Sequence, residues 1–419
     1  MLSRFPVAHT CSPFDTTPAI HGQDISRPRQ LRRRHISEHK RAHTIHRLPL
    51  ELLAHVFVLG AEDDANFAIT ISHVCRTWRI LALRTPVVWR RITLAADLNF
   101  LGERIRRARS CTLDIQLLSW CRMGSGYPRH QFLDADAVKL RMHLVTPFVS
   151  RWRSLEIVFS EYSPLLWNAA LARTCSRNRR PRALEEITLV YRLNDDTKEF
   201  SLFSGCAPKL RKVTLDGIRL AWLPSLFVNL TYLDYTHHGF TVGHQAVDDV
   251  MSMLQVSTRL LELRLLFPRK PFIVLPTRTY PVTRRVALPS LAHLYLRIEG
   301  PDIPFELAQV MTLTITPRLT SLRLIDLDRR HHSFPSLKSF FYVYAISPSL
   351  QYLHIEHGWY DHGMIAPMRR SLPDLHQVVI RRPYAPDHVL DLRARNWKRN
   401  HRQRHTHLHV HTSSTGRGR

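Results

Sequence analysis

Cysteine, glycine and long apolar runs are all scarce in this chain. Its 419 residues include six cysteines: Cys11, Cys75, Cys111, Cys121, Cys175 and Cys206. None forms a C-x-x-C pair and none lies in the second half. That excludes a disulfide framework or a cysteine-rich zinc site and fits a reducing compartment. There are only 14 glycines, and Gly124-Ser125-Gly126 stands alone, with no P-loop and no G-x-G-x-x-G. No phosphate cradle is therefore encoded. G-x-S-x-G and H-E-x-x-H are also missing, so a catalytic constellation is not expected. No stretch approaches the roughly 20 apolar residues that span a bilayer. Residues 1–10 lack the long apolar core of a secretory signal. The expectation is a soluble protein of the cytoplasm or nucleus, with no cofactor, no metal and no membrane contact.

Acidic residues are few at the two ends. Overall, 60 Lys and Arg face 34 Asp and Glu, a formal net charge of +26. Residues 1–47 carry a net +6 and residues 392–419 a net +8. Such tails attract nucleic-acid phosphates or other anionic surfaces without reading a sequence. Residues 1–44 and 392–419 read as solvated, disordered basic ends. The run Arg27-Pro28-Arg29-Gln30-Leu31-Arg32-Arg33-Arg34 has the composition of a nuclear-localisation patch. In the last tail, His401, His405, His407, His409 and His411 could hold Zn, Cu or Ni weakly. A disordered tail has nothing to fix their geometry, so no metal site is assigned there.

Helical patterning begins near Ile45. Leu48-Pro49 opens a helix, where the missing N–H of proline costs nothing. Leu50, Leu53 and Phe57 then share one face, widened by Leu52 and Val56. Gly60 is read as the end of this helix. Phe67, Ile71, Val74 and Trp78 mark a second helix, and residues 80–83 a third. Thr85-Pro86 stops the third, because a residue before proline is pushed out of helical geometry. Three such short helices have wide apolar stripes and little interior, which points to a partner covering part of them.

The order Leu48-Pro49-Leu50-Glu51-Leu52-Leu53, Val56-Phe57, Val74-Cys75-Arg76-Thr77-Trp78-Arg79 and Pro86-Val87-Val88-Trp89 resembles the F-box family over about 50 residues. The resemblance implies docking onto a Skp-family adaptor and, through it, onto a cullin–RING ubiquitin ligase. It places adaptor contact on Leu48, Pro49, Leu52, Leu53, Val56, Phe57, Val74, Trp78 and Trp89.

From about residue 180 the pattern changes to a repeat: an apolar residue, two others, an apolar, one other, an apolar. Copies begin at Leu184, Leu210, Leu230, Leu260, Leu291, Leu319, Leu350 and Leu375, spaced 20 to 31 residues apart. Earlier echoes begin at Trp152, Leu113 and Ile92. The alternating end of each copy reads as a short strand. In five copies a proline stands two residues before the first leucine: Pro208, Pro289, Pro317, Pro348 and Pro373. Each is read as ending a preceding helix. Strand, crossover, strand at this period predicts parallel strands in a solenoid.

This resembles leucine-rich repeats, and the whole arrangement resembles the expanded F-box families of mushroom-forming fungi. The Asn or Cys that ties regular turns is missing, its place taken by Arg192, Ile218, His238, Pro268, Glu299, Leu327, Gly358 and Pro383. An irregular solenoid is expected. The predicted fold class is α/β: a three-helix F-box at 45–94, then a degenerate leucine-rich-repeat-like solenoid at 95–391 with helical or irregular crossovers.

Residues flanking the strand apolars would form the recognition face. They are Tyr232, Asp234, Glu262, Arg264, His293, Tyr295, Arg297, Arg323, Tyr352, His354, Glu356 and Arg381. Tyr and Arg beside acids suit a protein ligand. The pairs Asp134/Asp136, Asp195-Asp196 and Asp248-Asp249 read as helix caps or turns. The resulting expectation is a non-catalytic substrate receptor of an SCF-type ubiquitin ligase, with an unidentified protein substrate. Two alternatives stand beside it: an F-box scaffold outside ubiquitin transfer, and a basic nucleic-acid-associated protein.

Overall fold

The structure, a computed structural model, describes residues 45, 48–94, 97–118, 120–122, 128–130, 134–162, 166–171, 180–221, 224–269, 280–382 and 386–392. The basic ends, with the Arg27–Arg34 run and the terminal histidines, lie outside the described residues. Internal contacts divide the chain into residues 1–53 and residues 54–419.

In the first unit, Leu48 N donates to Ile45 O and Leu53 N donates to Pro49 O, at 3.3 and 3.1 Å. Pro49 thus stands at the threshold of the helix, as its lack of an N–H favours. The helix that follows is α1 (Leu50–Asp63). It runs straight through Gly60. A Cβ at Gly60 would lie 2.4 Å from the Phe67 ring, so glycine serves close packing there and does not end the helix.

The stripe Phe67–Trp78 divides in two. Cys75 is extended (φ −157°, ψ 170°), separating α2 (Phe67–Val74) from α3 (Arg76–Arg84). Arg79 Nε donates to Ser72 O at 2.8 Å and so satisfies a carbonyl at the end of α2. A 3₁₀ turn, Pro86–Trp89, follows α3 and leads into the first strand, β1 (Arg91–Thr93).

That strand opens a twelve-stranded sheet. Its other members are β2 (Leu113–Leu118), β3 (Trp152–Val158), β4 (Glu186–Val190), β5 (Lys212–Asp216), β6 (Tyr232–Thr236) and β7 (Glu262–Phe267). Then come β8 (His293–Ile298), β9 (Ser321–Asp326), β10 (Tyr352–Glu356), β11 (Gln377–Arg381) and β12 (His388–Asp391). Spatial order follows chain order throughout. Pairing is parallel from β1 to β11, and β12 returns antiparallel on β11. Every predicted copy and every earlier echo contributes one strand of this sheet. The strand β12 escaped the sequence reading because its residues alternate without a buried apolar set.

The apolar positions stack in register. Ile92, Ile115, Leu155, Ile187, Val213, Leu233, Leu263, Leu294, Leu322, Leu353 and Val378 form one row across eleven strands, each with at most 2% of its surface exposed. Burying each such side chain contributes about 1.5–3 kcal/mol before entropic costs. Between them, the alternate residues of β6 to β11 are less buried. One face of the sheet is therefore core and the other is open. This is unusual for parallel strands, which are commonly covered on both faces.

A turn recurs before the five strands whose copies carry the proline. Leu210 N donates to Ala207 O, Leu291 N to Leu288 O, Leu319 N to Thr316 O, Leu350 N to Ser347 O and Leu375 N to Leu372 O. Each predicted proline occupies the second position of such a turn, where its fixed φ is pre-set. The prolines therefore start strand entry and are not merely helix stops. Crossovers vary, from the long helix Gly243–Val256 to the single turn Pro224–Phe227. In place of an asparagine ladder, Asp326 accepts from Asp328 N, Arg330 N and Gly358 N at 3.0, 2.8 and 3.0 Å. Asn194 Nδ2 donates to Gly217 O at 3.0 Å.

Candidate interaction surfaces

The helices around residues 48–94 sort the predicted adaptor residues into two groups. Leu53, Phe57 and Trp89 are buried, with Phe57 1% and Trp89 0% exposed. Trp89 Nε1 donates to Ala82 O at 2.9 Å, and the Arg107 guanidinium lies 4.5 Å from its ring centre. These side chains are structural interior. Leu48, Pro49, Leu52, Val56 and Val74 are exposed, Leu52 at 55% and Val74 at 57%. Trp78 is intermediate. Its ring packs against Phe57 at 5.0 Å, and its indole N–H meets no acceptor among the described residues.

Further apolar residues are exposed beside the predicted ones. Leu59 extends the Leu52/Val56 line of α1 by i+3 from Val56, and Ile80 and Leu83 stand exposed on α3. Their apolar character is visible in the sequence, but the side of α3 that Ile80 and Leu83 occupy depends on the break at Cys75.

This helical segment is joined to the sheet by polar contacts. Arg90 pairs with Glu62 at 2.6 Å and with Asp114 at 3.2 Å. Asp114 also receives Arg153 at 2.8 Å from both guanidinium nitrogens. Arg104, from the helix α4 (Leu98–Arg107), donates to Ala65 O at 2.5 Å. Burial, with Arg91 nearby, pushes the Arg104 pKa down to about 10.

On the open face of the sheet, nine of the predicted recognition residues fall, with Ser321, into two aligned rows, while Arg297, Glu356 and Arg381 lie two residues farther along their strands. One runs Tyr232, Glu262, His293, Ser321, Tyr352; the next runs Asp234, Arg264, Tyr295, Arg323, His354. Arg264 lies between Tyr232 and Tyr295, 5.3 and 4.6 Å from their ring centres, and Arg323 covers Tyr295 at 5.2 Å. Such cation–π contacts hold long arginines in place. Arg264 also meets Glu262 at 2.7 Å, and Arg297 reaches Asp234 at 2.5 Å. Farther along, His354 meets Glu356 at 2.7 Å, and Arg381 meets both Glu356 at 3.2 Å and Asp387 at 3.0 Å. Glu356 is buried: desolvation opposes its charge, but His354 and Arg381 outweigh that and hold its pKa below the usual value. It orients neighbours and is not available as a free contact.

A cluster that the sequence reading missed lies at the end of β6. The oxygens and nitrogens of His237, His238 and Asp249 approach within metal-ligating distance of one another. Asp249 sits inside the helix Gly243–Val256, not in a cap or turn. Gly239 N donates to His237 Nδ1 at 3.2 Å, and Phe240 N donates to His238 Nδ1 at 3.1 Å. Both Nδ1 atoms are thus occupied by backbone donors, and the two Nε2 atoms face Asp249 at 3.9 and 3.7 Å. The arrangement reads as a buried structural knot. Thr241 Oγ1 and Gln245 Nε2 donate to Asp249 at 2.8 and 3.0 Å. Adjacent histidines on a strand end and one helical aspartate give no sequence signal until the helix is packed.

Among the described residues no helix is long and apolar enough to cross a membrane. No curated protein matches the chain. Residues 45–95 match the family model of the F-box-like domain, over the same helices whose exposed faces are described above.

Proposed function

We propose that the chain is a non-catalytic substrate receptor of an SCF-type cullin–RING ubiquitin ligase. The F-box-like segment binds a Skp-family adaptor through Leu48, Pro49, Leu52, Val56, Val74 and Trp78. The remainder, a degenerate leucine-rich-repeat-like solenoid, holds a protein substrate on its open sheet face. One observation carries the reading: a segment matching the F-box-like family leaves large apolar side chains exposed on short helices. Exposed apolar groups of this kind mark an interaction surface. The mechanism is positioning, since holding two proteins together raises their effective concentration.

Support for a protein ligand comes from the Tyr and Arg residues stacked in register on the sheet, the residue types that dominate interface hot spots. The test is co-purification of the full chain with a Skp-family adaptor. Leu48→Ala with Pro49→Ala is expected to abolish it. Undiminished adaptor capture by that variant sinks the reading.

A further inference from the structure

The arginines of the open sheet face are not equivalent. Arg264 has Glu262 and Asp234, Arg297 has Asp234, and Arg381 has Glu356 and Asp387. Arg323 has no carboxylate partner among the described residues; its contact is the face of Tyr295. Around it, strands β8, β9 and β10 place six side chains in two aligned rows: His293, Ser321 and Tyr352, then Tyr295, Arg323 and His354. None of the six is acidic, and most can donate a hydrogen bond. The nearest acids, Glu262 and Glu356, are engaged by Arg264 and by His354 with Arg381.

We propose that this patch binds a single carboxylate, presented by an Asp or Glu side chain in an extended segment of the protein substrate, with Arg323 as the group that takes it. This rests on the substrate-receptor reading. Charge complementarity selects the occupant. One unpaired guanidinium balances one negative charge, and its fork matches the two carboxylate oxygens. A phosphate dianion would bring a second negative charge among Glu262 and Glu356, and among the described residues of this patch no second unpaired guanidinium meets it. Tyr295 holds the guanidinium from below, so little freedom is lost on binding. Tyr352, 45% exposed beside it, offers an apolar surface to the residue flanking the acid.

The test uses the full chain with its adaptor bound and a random twelve-residue peptide library displayed on phage. Selected peptides should share one fixed Asp or Glu next to an apolar residue. In fluorescence polarisation, changing that acid to its amide should weaken a selected peptide by about tenfold or more. Arg323→Gln should weaken it equally, and the two changes together should cost no more than either. Arg323→Lys should restore part of the affinity.

Selected peptides without a fixed acid, or equal binding to the Arg323→Gln chain, overturn the proposal. So does a failure to select any peptide. A phosphoserine in place of the acid that binds about tenfold tighter overturns it in favour of phosphate. Loss of binding on removing residues 1–44 and 393–419, with Arg323→Gln silent, assigns the effect to the tails and overturns it too. Adaptor co-purification is read on every sample, so failure of the ligase reading is told apart from failure of the carboxylate site.

Discussion

Arg90 and Asp114 stand 3.2 Å apart, and their contact ties the last residue before β1 to the strand beside it. Asp114 also holds Arg153, so one largely buried carboxylate serves two arginines from two directions. Asp114→Ala leaves Arg153 without its carboxylate and Arg90 with Glu62 alone. Arg153 is partly solvated, which softens the penalty. The expected loss is about 2 kcal/mol of unfolding free energy, read from the denaturation midpoint. Asp114→Asn, which keeps hydrogen-bond acceptance, should lose less.

The two classes of predicted adaptor residue should part company on mutation. Leu52→Asp and Val56→Asp change exposed positions of α1, so stability should hold while adaptor capture falls steeply. Phe57→Ala removes a ring that is 1% exposed and packed on Trp78. It should cost about 3–5 kcal/mol of stability. Thermal melts and adaptor pull-downs on the same preparations separate the outcomes. A destabilised Leu52→Asp chain would contradict the assignment of that side chain to the surface.

Acid should weaken the fold through His238. Burial, then the neighbouring His237, pushes its pKa down to about 2 from the usual 6.5. The unfolded chain takes up a proton that the folded chain refuses. The stability this group contributes is therefore complete above pH 6.5 and is lost as pH falls toward 2. Between pH 6.5 and 5 the loss should approach about 2 kcal/mol. Burial lowers the His357 pKa as well, which adds in the same direction. His238→Asn keeps an acceptor for Phe240 N and removes the titration. Its melting temperature should fall less between pH 7 and pH 5 than that of the parent, and an unchanged slope would refute the account.

Gly217 should resist substitution. Its φ is +75°, and a Cβ there would meet the Tyr191 carbonyl oxygen at 2.2 Å. Backbone cannot yield as a side-chain end can. Gly217→Ala should cost about 2 kcal/mol or more, from the left-handed conformation and the clash together. Gly102, with nothing within 4 Å of the corresponding position, is the control. Gly102→Ala, inside α4, should be neutral or slightly stabilising.

Much of this architecture could be read before any coordinates. The period-two apolar pairs, from Ile92/Leu94 to Val378/Ile380, each mark a strand of one sheet, because alternation at a recurring interval encodes one buried face. The leucine–proline start of α1 was equally plain. Other features depend on neighbours remote in sequence. Gly60 looked like a helix end because the approach of Phe67 is invisible in the sequence. Asp249 looked like a cap because its histidine neighbours arrive from a strand. For Phe57 and Trp89, an apolar residue type does not say whether the helix turns it inward or outward. The isolation of Arg323 follows only from knowing which acids the other arginines have already met.

The strictly sequential order of the strands also has a meaning for how the molecule is made. Each parallel strand pairs with the one synthesised just before it, so every closure spans a short loop with a modest entropic cost. Contacts stay local, which favours fast folding despite the β content. A nascent chain can therefore lay down its sheet one strand at a time, with the growing edge serving as template for the next segment to emerge. The antiparallel β12 breaks that rhythm, and its turning back is the event that ends the succession.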